Sequence, residues 1–423
     1  MTMTIFGTTL RFARSGRGAA AMATLTLIAT LSACDLKVTN PGPIQADALD
    51  DPKALTSVVN GAGRDLAEAI NWTAYTGAAV SLELFPGGST GSFGITPRQQ
   101  AGKLTDDDDD THWNFSQRAR WTAEDAVTRA KKILGSAATN NVSVAQALVW
   151  AGYANRHLGE NFCQGVINGG PPEPYTVYFE RAEAAFTEAI AVAGAANNAN
   201  LVTAATAGRA SVRLDRNNLT GAATDAATVA NAFAYRMPYF STDLDQYNRI
   251  YWASANQPYR AHTVWNTFYD TYRKTTKDPR VPFDSSATQL VGDAAVGNLG
   301  RVRWYFQTKY PAQSSPINLA TGWEMRLIEA EAKLVAGDIP GAMTLVNAHR
   351  VALSLTPWTA ATAADAWTAL KRERGIELWL ESRRLGDFKR WAALSRPGTA
   401  EDMTGRDLCF ATPLSEKQTN PNF

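Results

Sequence analysis

The apolar positions of this chain keep a helical spacing over most of its length. Leu55, Val58, Val59, Ala62, Leu66, Ala69 and Ile70 recur on one face, Asp50 and Asp51 offer N-caps and Pro52 stands at the first helical position, which predicts a helix over residues 51–70. The rhythm breaks over 71–116. That stretch holds Pro86, Gly87, Gly88, Gly91, Gly94 and Pro97, then the acidic run Asp106 to Asp110, and reads as one long irregular segment. Helical spacing then returns in three pairs. Stretches 147–157, 204–214 and 323–335 end in turns at Gly159, at Asn217-Asn218 and at Gly337-Asp338, and a second helix follows each. In the second helices Ala182, Phe186 and Ala189, then Ala222, Ala226 and Val229, then Ala342, Val346 and His349 stand at i, i+4, i+7. Small residues at such positions let two helices of a hairpin approach closely. Between the second and third pairs, residues 233–320 are rich in aromatics, prolines and glycines without a dominant period, with a possible strand at 301–307. They read as a loop-rich insertion packed on the helices. A last long helix is predicted over 363–391, its charged positions forming a solvated face on which Arg383 and Asp387 pair at i, i+4.

The paired helices resemble tetratricopeptide repeats, whose hairpins stack side by side, although none of them keeps a 34-residue period. With 423 residues, 45% of them apolar, and 12 tryptophans, the chain has material for a sizeable core. Its 41 lysines and arginines are matched by 40 acids, leaving no cationic excess to neutralise a phosphate backbone, so nucleic acid is not the expected partner.

Residues 1–33 read as an export signal: Arg11, Arg14 and Arg17 precede an apolar run over 19–31 that is too short to span a membrane. Leu31-Ser32-Ala33-Cys34 resembles the lipobox of bacterial lipoproteins, which makes Cys34 the expected lipidation site and 34–45, broken by Pro41, Gly42 and Pro43, a tether to a domain over 46–423. Asp35 resembles an inner-membrane retention signal in some Gram-negative sorting systems and is tolerated in others, so the choice of membrane stays open. The remaining cysteines, Cys163 and Cys409, are a candidate disulfide in an oxidising compartment; two inert buried thiols are the alternative.

Catalytic and metal chemistry has little to stand on. Gly87-Gly88-Ser89-Thr90-Gly91 fits a hydrolase elbow, but Pro86, Gly94 and Pro97 deny it the helix that must follow. His112, His157, His262 and His349 are scattered without zinc-site spacing, and Asp106, Asp108 and Asp110 lack the glycine and distal glutamate of a calcium loop, so the acidic run reads as solvated.

Residues 371–391, KRERGIELWLESRRLGDFKRW, resemble the signature of the SusD/RagB family, with Glu373, Arg374, Glu377, Leu378, Glu381, Arg384, Asp387, Lys389, Arg390 and Trp391 on matching positions and Gly375, Ser382, Leu385 and Gly386 departing from it. Residues 325–332 and 337–350 are similar to the family's last helical hairpin, and Pro413, Leu414, Glu416, Asn420 and Pro421 to its C-terminal ending. The resemblance implies an all-α body of tetratricopeptide-like hairpins with a loop-rich side, carried on the outer membrane by a lipid anchor and facing out. It implies no enzyme and no cofactor. The implied role is binding an oligosaccharide or peptide nutrient and passing it to a TonB-dependent, SusC-like transporter. A protein-interaction scaffold is the alternative, and a glycoside hydrolase the third reading. Because the family's ligands lie in loops away from the hairpin stack, and sugar rings stack on aromatic planes, Trp72, Tyr75, Trp113 and Phe115 of the irregular segment are the expected ligand contacts, with core packing the alternative for all four.

Overall fold

The computed structural model describes residues 46–86, 96–252, 261–291 and 301–423. The expected signal and tether, Cys34 included, and the elbow-like residues 87–91 lie outside these. Contacts divide the chain after Ala48, and the architecture below is that of the unit Leu49–Phe423.

Four antiparallel helix pairs form the body. They are α1 (Leu55–Val80) with α2 (Asp110–Leu134), α3 (Val142–Asn161) with α4 (Thr176–Ala195), α5 (Ala199–Asp215) with α6 (Leu219–Ala227), and α8 (Gly322–Val335) with α9 (Ile339–Val346). Each pair also packs on the next, α2 on α3, α4 on α5 and α6 on α8, which gives an all-α stack of hairpins. Close approach is achieved with small residues. Phe186 of α4 lies between α3 and α5, where a Cβ on Gly152 would fall 2.5 Å from its ring and one on Gly208 2.4 Å. The turns are closed by side chains: Asn218 Oδ1 accepts from Gly221 N at 3.1 Å and Asp338 Oδ1 from Gly341 N at 2.9 Å, while Asn217 and Gly337 adopt positive φ.

The first pair corrects the sequence reading. Residues 71–80 and 110–116 are helical, and the described residues between α1 and α2 include a two-residue strand at Phe85–Pro86 and one helical turn at Pro97–Gln100. Within α1, every residue from Thr73 to Val80 is buried, so no polar face exists there to mark an amphipathic period.

The helix predicted over 363–391 is also broken. It divides into α11 (Ala363–Glu377) and α12 (Arg384–Ala393), with Leu380 and Ser382 at positive φ between them. The break is held by tertiary partners. Glu83 Oε1 accepts from Leu380 N at 2.7 Å, Lys309 Nζ donates to the Trp379 carbonyl at 2.6 Å, and the Tyr310 hydroxyl donates to the Leu380 carbonyl at 3.0 Å.

Nor is the charged face of this segment solvated. Arg374 grips Asp387 through two hydrogen bonds of 2.9 and 2.8 Å, Arg390 donates to Asp387 at 2.9 Å and pairs with Glu331, and Arg383 bridges Glu160 at 3.0 Å and Glu324 at 2.9 Å. All of these side chains are buried, so the ions neutralise one another in the interior and lock α12 to α3, α8 and α11.

The region between α6 and α8 carries α7 (Phe268–Thr276), α8 is followed through α9 by α10 (Ala348–Ala352), and α13 (Leu414–Thr419) ends the chain. The strands are short and pair antiparallel in twos: β1 (Phe85–Pro86) with β5 (His262–Thr263), β2 (Gln164–Gly165) with β3 (Glu173–Pro174), β4 (Ala234–Met237) with β8 (Ile317–Thr321), and β6 (Phe283–Leu290) with β7 (Arg303–Gln307).

The C-terminal tail returns to the first hairpin. Ala411 N donates to Asp109 at 2.9 Å, Trp113 Nε1 to Glu416 at 3.2 Å, and Lys417 pairs with Asp106 at 2.8 Å. Arg98 takes Asp107 at 2.7 Å and Asp108 at 2.9 Å, and Asp110 accepts from Ser415. Thus the acidic run is a paired clasp, with Asp107 still exposed to solvent, and burial pushes the Asp109 carboxyl up to about 7. Cys163 and Cys409 are bonded beside it, their Cα atoms 5.2 Å apart, where Phe162 and Phe410 pair as a parallel bridge.

Candidate functional site

The outer face of α1 holds the chain that follows β4. Asn71 does this with both ends of its amide, Nδ2 donating to the Tyr247 carbonyl at 2.5 Å and Oδ1 accepting from Arg249 N at 2.6 Å. One turn earlier the Tyr239 hydroxyl donates to the Ala67 carbonyl at 2.8 Å. These bonds leave a cavity of about 330 Å³ between α1, α3 and residues 237–246. Trp150, Tyr239 and Phe240 supply its aromatic walls, and Asn60, Glu68 and Asp245 are among its polar groups. Gly63 lets Trp150 lie against α1, since a Cβ there would fall 3.0 Å from the indole nitrogen. Tyr239 is buried, whereas Phe240 is 53% exposed.

The cavity leads along α1 to a second aromatic patch. Glu68 takes Arg64 at 2.9 Å and Arg118 at 2.7 Å; its burial outweighs both cations and holds its carboxyl above the usual range. The Arg118 guanidinium lies 4.7 Å from the centre of the Phe115 ring, Phe115 stacks on Trp72 with centroids 6.0 Å apart, and the Arg249 guanidinium covers Trp72 at 3.4 Å. Burial lowers the Arg249 pKa to about 10.

The four aromatics singled out by sequence therefore divide. Trp72 and Phe115 come together, half-buried, beside the cavity. Tyr75 and Trp113 are 0% and 1% exposed, and expecting them to grip a ligand is corrected: Tyr75 packs against His262 at 4.5 Å and Trp113 against Phe162 at 5.4 Å. Helical spacing explains the division. Tyr75 is three residues past Trp72 on a helix whose far half is enclosed on all sides, and Trp113 enters the core from the first turn of α2. Phe240 and Trp150 were not singled out by sequence; a ring directly after Pro238-Tyr239 in a loop-rich stretch was the available signal for Phe240.

The histidines behave as packing residues. Burial holds His112, His157 and His262 down at about 3, and His349 stacks on Trp323 while bonding Glu377 at 2.7 Å. Among the described residues no group of three or more histidine, cysteine or acidic side chains could hold a metal ion, and no helix is long and apolar enough to cross a membrane. What the site offers is aromatic surface bordered by amide, carboxylate and guanidinium groups, an arrangement suited to holding a ligand with both C–H faces and hydroxyls.

Comparison with known proteins places the chain. The SusD family model matches residues 241–422, the part that contains most of the buried ion network. No curated protein matches. Among solved structures, a SusD superfamily protein from Bacteroides thetaiotaomicron VPI-5482 superposes with a TM-score of 0.65 at 15% identity, over 88% of this chain and 98% of that one. A SusD superfamily protein from Bacteroides vulgatus ATCC 8482 gives 0.63 at 14% identity, over 88% and 97%. A second protein of that organism, described as a SusD-like carbohydrate binding protein, gives 0.62 at 15%, again over 88% and 97%. Residues 241–422 thus match the SusD family, and the fold is the one these SusD superfamily structures share.

Proposed function

We propose that the chain is a cell-surface binding protein for an oligosaccharide, or alternatively a peptide, that it delivers to a TonB-dependent transporter, and that it performs no chemistry on the ligand. The carrying observation is the cavity under Phe240: an exposed ring, with Trp150, Asn60, Glu68 and Asp245 among the side chains that line the same cavity. A sugar ring laid on Phe240 would bury its C–H face while its hydroxyls meet those polar groups, and Trp72 and Phe115 would extend the contact to further residues of the chain. The SusD-like relative described as carbohydrate binding supports the same reading. Replacing Phe240 with alanine is expected to weaken binding of a recognised oligosaccharide at least tenfold, about 1.4 kcal/mol, and Trp72→Ala by less. Calorimetry against a glycan and peptide panel, with folding checked by circular dichroism, measures this. Unchanged affinity in both variants would exclude the site.

Delivery at the surface needs an anchor, and the lipobox-like Leu31-Ser32-Ala33-Cys34 supplies one. Mass spectrometry of the membrane fraction should find a mature chain that starts at an acylated Cys34. A soluble product with another N-terminus would refute the anchor.

A further inference from the structure

We propose a second carbohydrate-binding site on the hairpin stack itself, built around Trp121. It extends the carbohydrate-binding reading above to a surface that reading does not use. Trp121 follows Phe115 by six residues on α2, about 240° further round the helix. At 51% exposure it is the most exposed tryptophan among the described residues. It stands between two depressions. One, of about 540 Å³, runs between α2, α3 and α4; the other, of about 270 Å³, lies toward residues 166–169 and Glu416. The larger volume falls within the range of small-ligand sites, and Val127, Leu148 and Ala151 give it an apolar lining beside the indole.

The polar groups here are held in a fixed orientation. Glu124 accepts from Arg181 at 3.0 and 2.7 Å, from Arg120 at 2.8 Å and from Asn155 Nδ2 at 2.9 Å. Asn155 Nδ2 also donates to the Ala151 carbonyl at 2.9 Å, so both amide hydrogens are engaged and the side chain cannot be turned round. Its Oδ1 is left without a hydrogen-bond partner although Asn155, which lines the larger depression, is only 1% exposed. A buried acceptor of this kind requires a donor, and a ligand hydroxyl entering the depression would provide one. Asn168, which lines both depressions beside Trp121, adopts φ 51° and accepts from Arg120 at 2.9 Å through Oδ1, which leaves its amide N–H groups to donate to a hydroxyl. Thus one aromatic plane is flanked by an acceptor and a donor that the protein has already oriented. That is the requirement of a pyranose ring, with apolar faces and hydroxyls at its rim.

The test uses the full-length mature protein and hexasaccharides of maltose, cellobiose, xylobiose and mannobiose type, titrated by calorimetry and by tryptophan fluorescence. The parent should bind two equivalents of at least one probe. Trp121→Ala should remove one equivalent, with a loss of more than tenfold at that site; Trp121→Phe should retain it, and Asn168→Ala should weaken it. Because Trp121 and Asn168 are exposed, these variants are expected to fold, which circular dichroism checks. Phe240→Ala separates the two sites: it should remove the other equivalent and leave the Trp121 site intact. If Trp121→Ala abolishes binding and Phe240→Ala changes nothing, the second site stands and the Phe240 site falls. The proposal is overturned if no probe binds the parent, if Trp121→Ala binds as the parent does, or if a cross-linker at position 121 captures a protein partner while every probe leaves the Trp121 fluorescence unchanged.

Discussion

Asp387→Ala should destabilise the folded chain by about 3 to 5 kcal/mol at neutral pH, because it leaves Arg374 and Arg390 as buried cations without their shared carboxylate. Burial alone would raise the Asp387 pKa, but Arg374 and Arg390 outweigh it and hold the group at about 2, against 3.8 for an unperturbed aspartate. The sign follows. A depressed folded-state pKa contributes stability that is complete above the unfolded value, declines as pH falls through it, and is lost as pH passes below about 2. The parent should therefore lose part of its stability on acidification between about pH 4 and pH 2, and the variant should lack that component. Urea denaturation of both proteins at neutral and acidic pH measures the difference. A shift below 1 kcal/mol at neutral pH would mean that water reaches the network and screens it.

The second large effect is expected at Cys163 and Cys409, which lie 246 residues apart in sequence. In the chain-entropy model, a cross-link over a loop of this length stabilises by about 5.5 kcal/mol, an upper figure because native strain and denatured-state structure reduce it. The Cys163→Ala, Cys409→Ala double variant should melt well below the oxidised parent, and reduction of the parent should give the same shift. Non-reducing peptide mapping of exported protein should recover the linked pair. Two free thiols there, or no change of melting temperature on reduction, would remove the cross-link from the account of stability.

Sequence made the hairpins legible where helices are amphipathic. Ala182, Phe186 and Ala189 mark the buried side of α4, and the Asn217-Asn218 and Gly337-Asp338 turns fall where the structure closes them. It failed where burial is complete. The far half of α1 has no exposed face, so its helical period vanished and two core aromatics, Tyr75 and Trp113, were assigned to a loop. The break between α11 and α12 was invisible for another reason: no glycine or proline marks it, and the partners that hold it, Glu83, Lys309 and Tyr310, are distant in sequence. The charged signature was recognised as a pattern and misplaced as a surface, since spacing reveals neighbours on one helix but not the carboxylates that Glu160, Glu324 and Glu331 bring from others. Of the candidate site, Trp72 and Phe115 are legible as aromatics of a stretch that reads as irregular, on the side where the family resemblance expects ligand. Phe240 and Trp150 needed the fold, because the cavity exists only where α1 meets residues 237–246.

The clasp between residues 106–110 and the tail bears on how the protein is made. Its bonds join positions about three hundred residues apart, as with Asp109 to Ala411 and Trp113 to Glu416. Synthesis proceeds from the N-terminus, so the first hairpin emerges with one wall missing and receives it only when almost the whole chain has been released. Closing so long a loop costs conformational entropy before any contact offsets it. The ends of the folded unit therefore mature together and late, and a chain arrested or shortened by its last fifteen residues would leave Trp113 uncovered and Asp106, Asp109 and Asp110 without their partners from the tail.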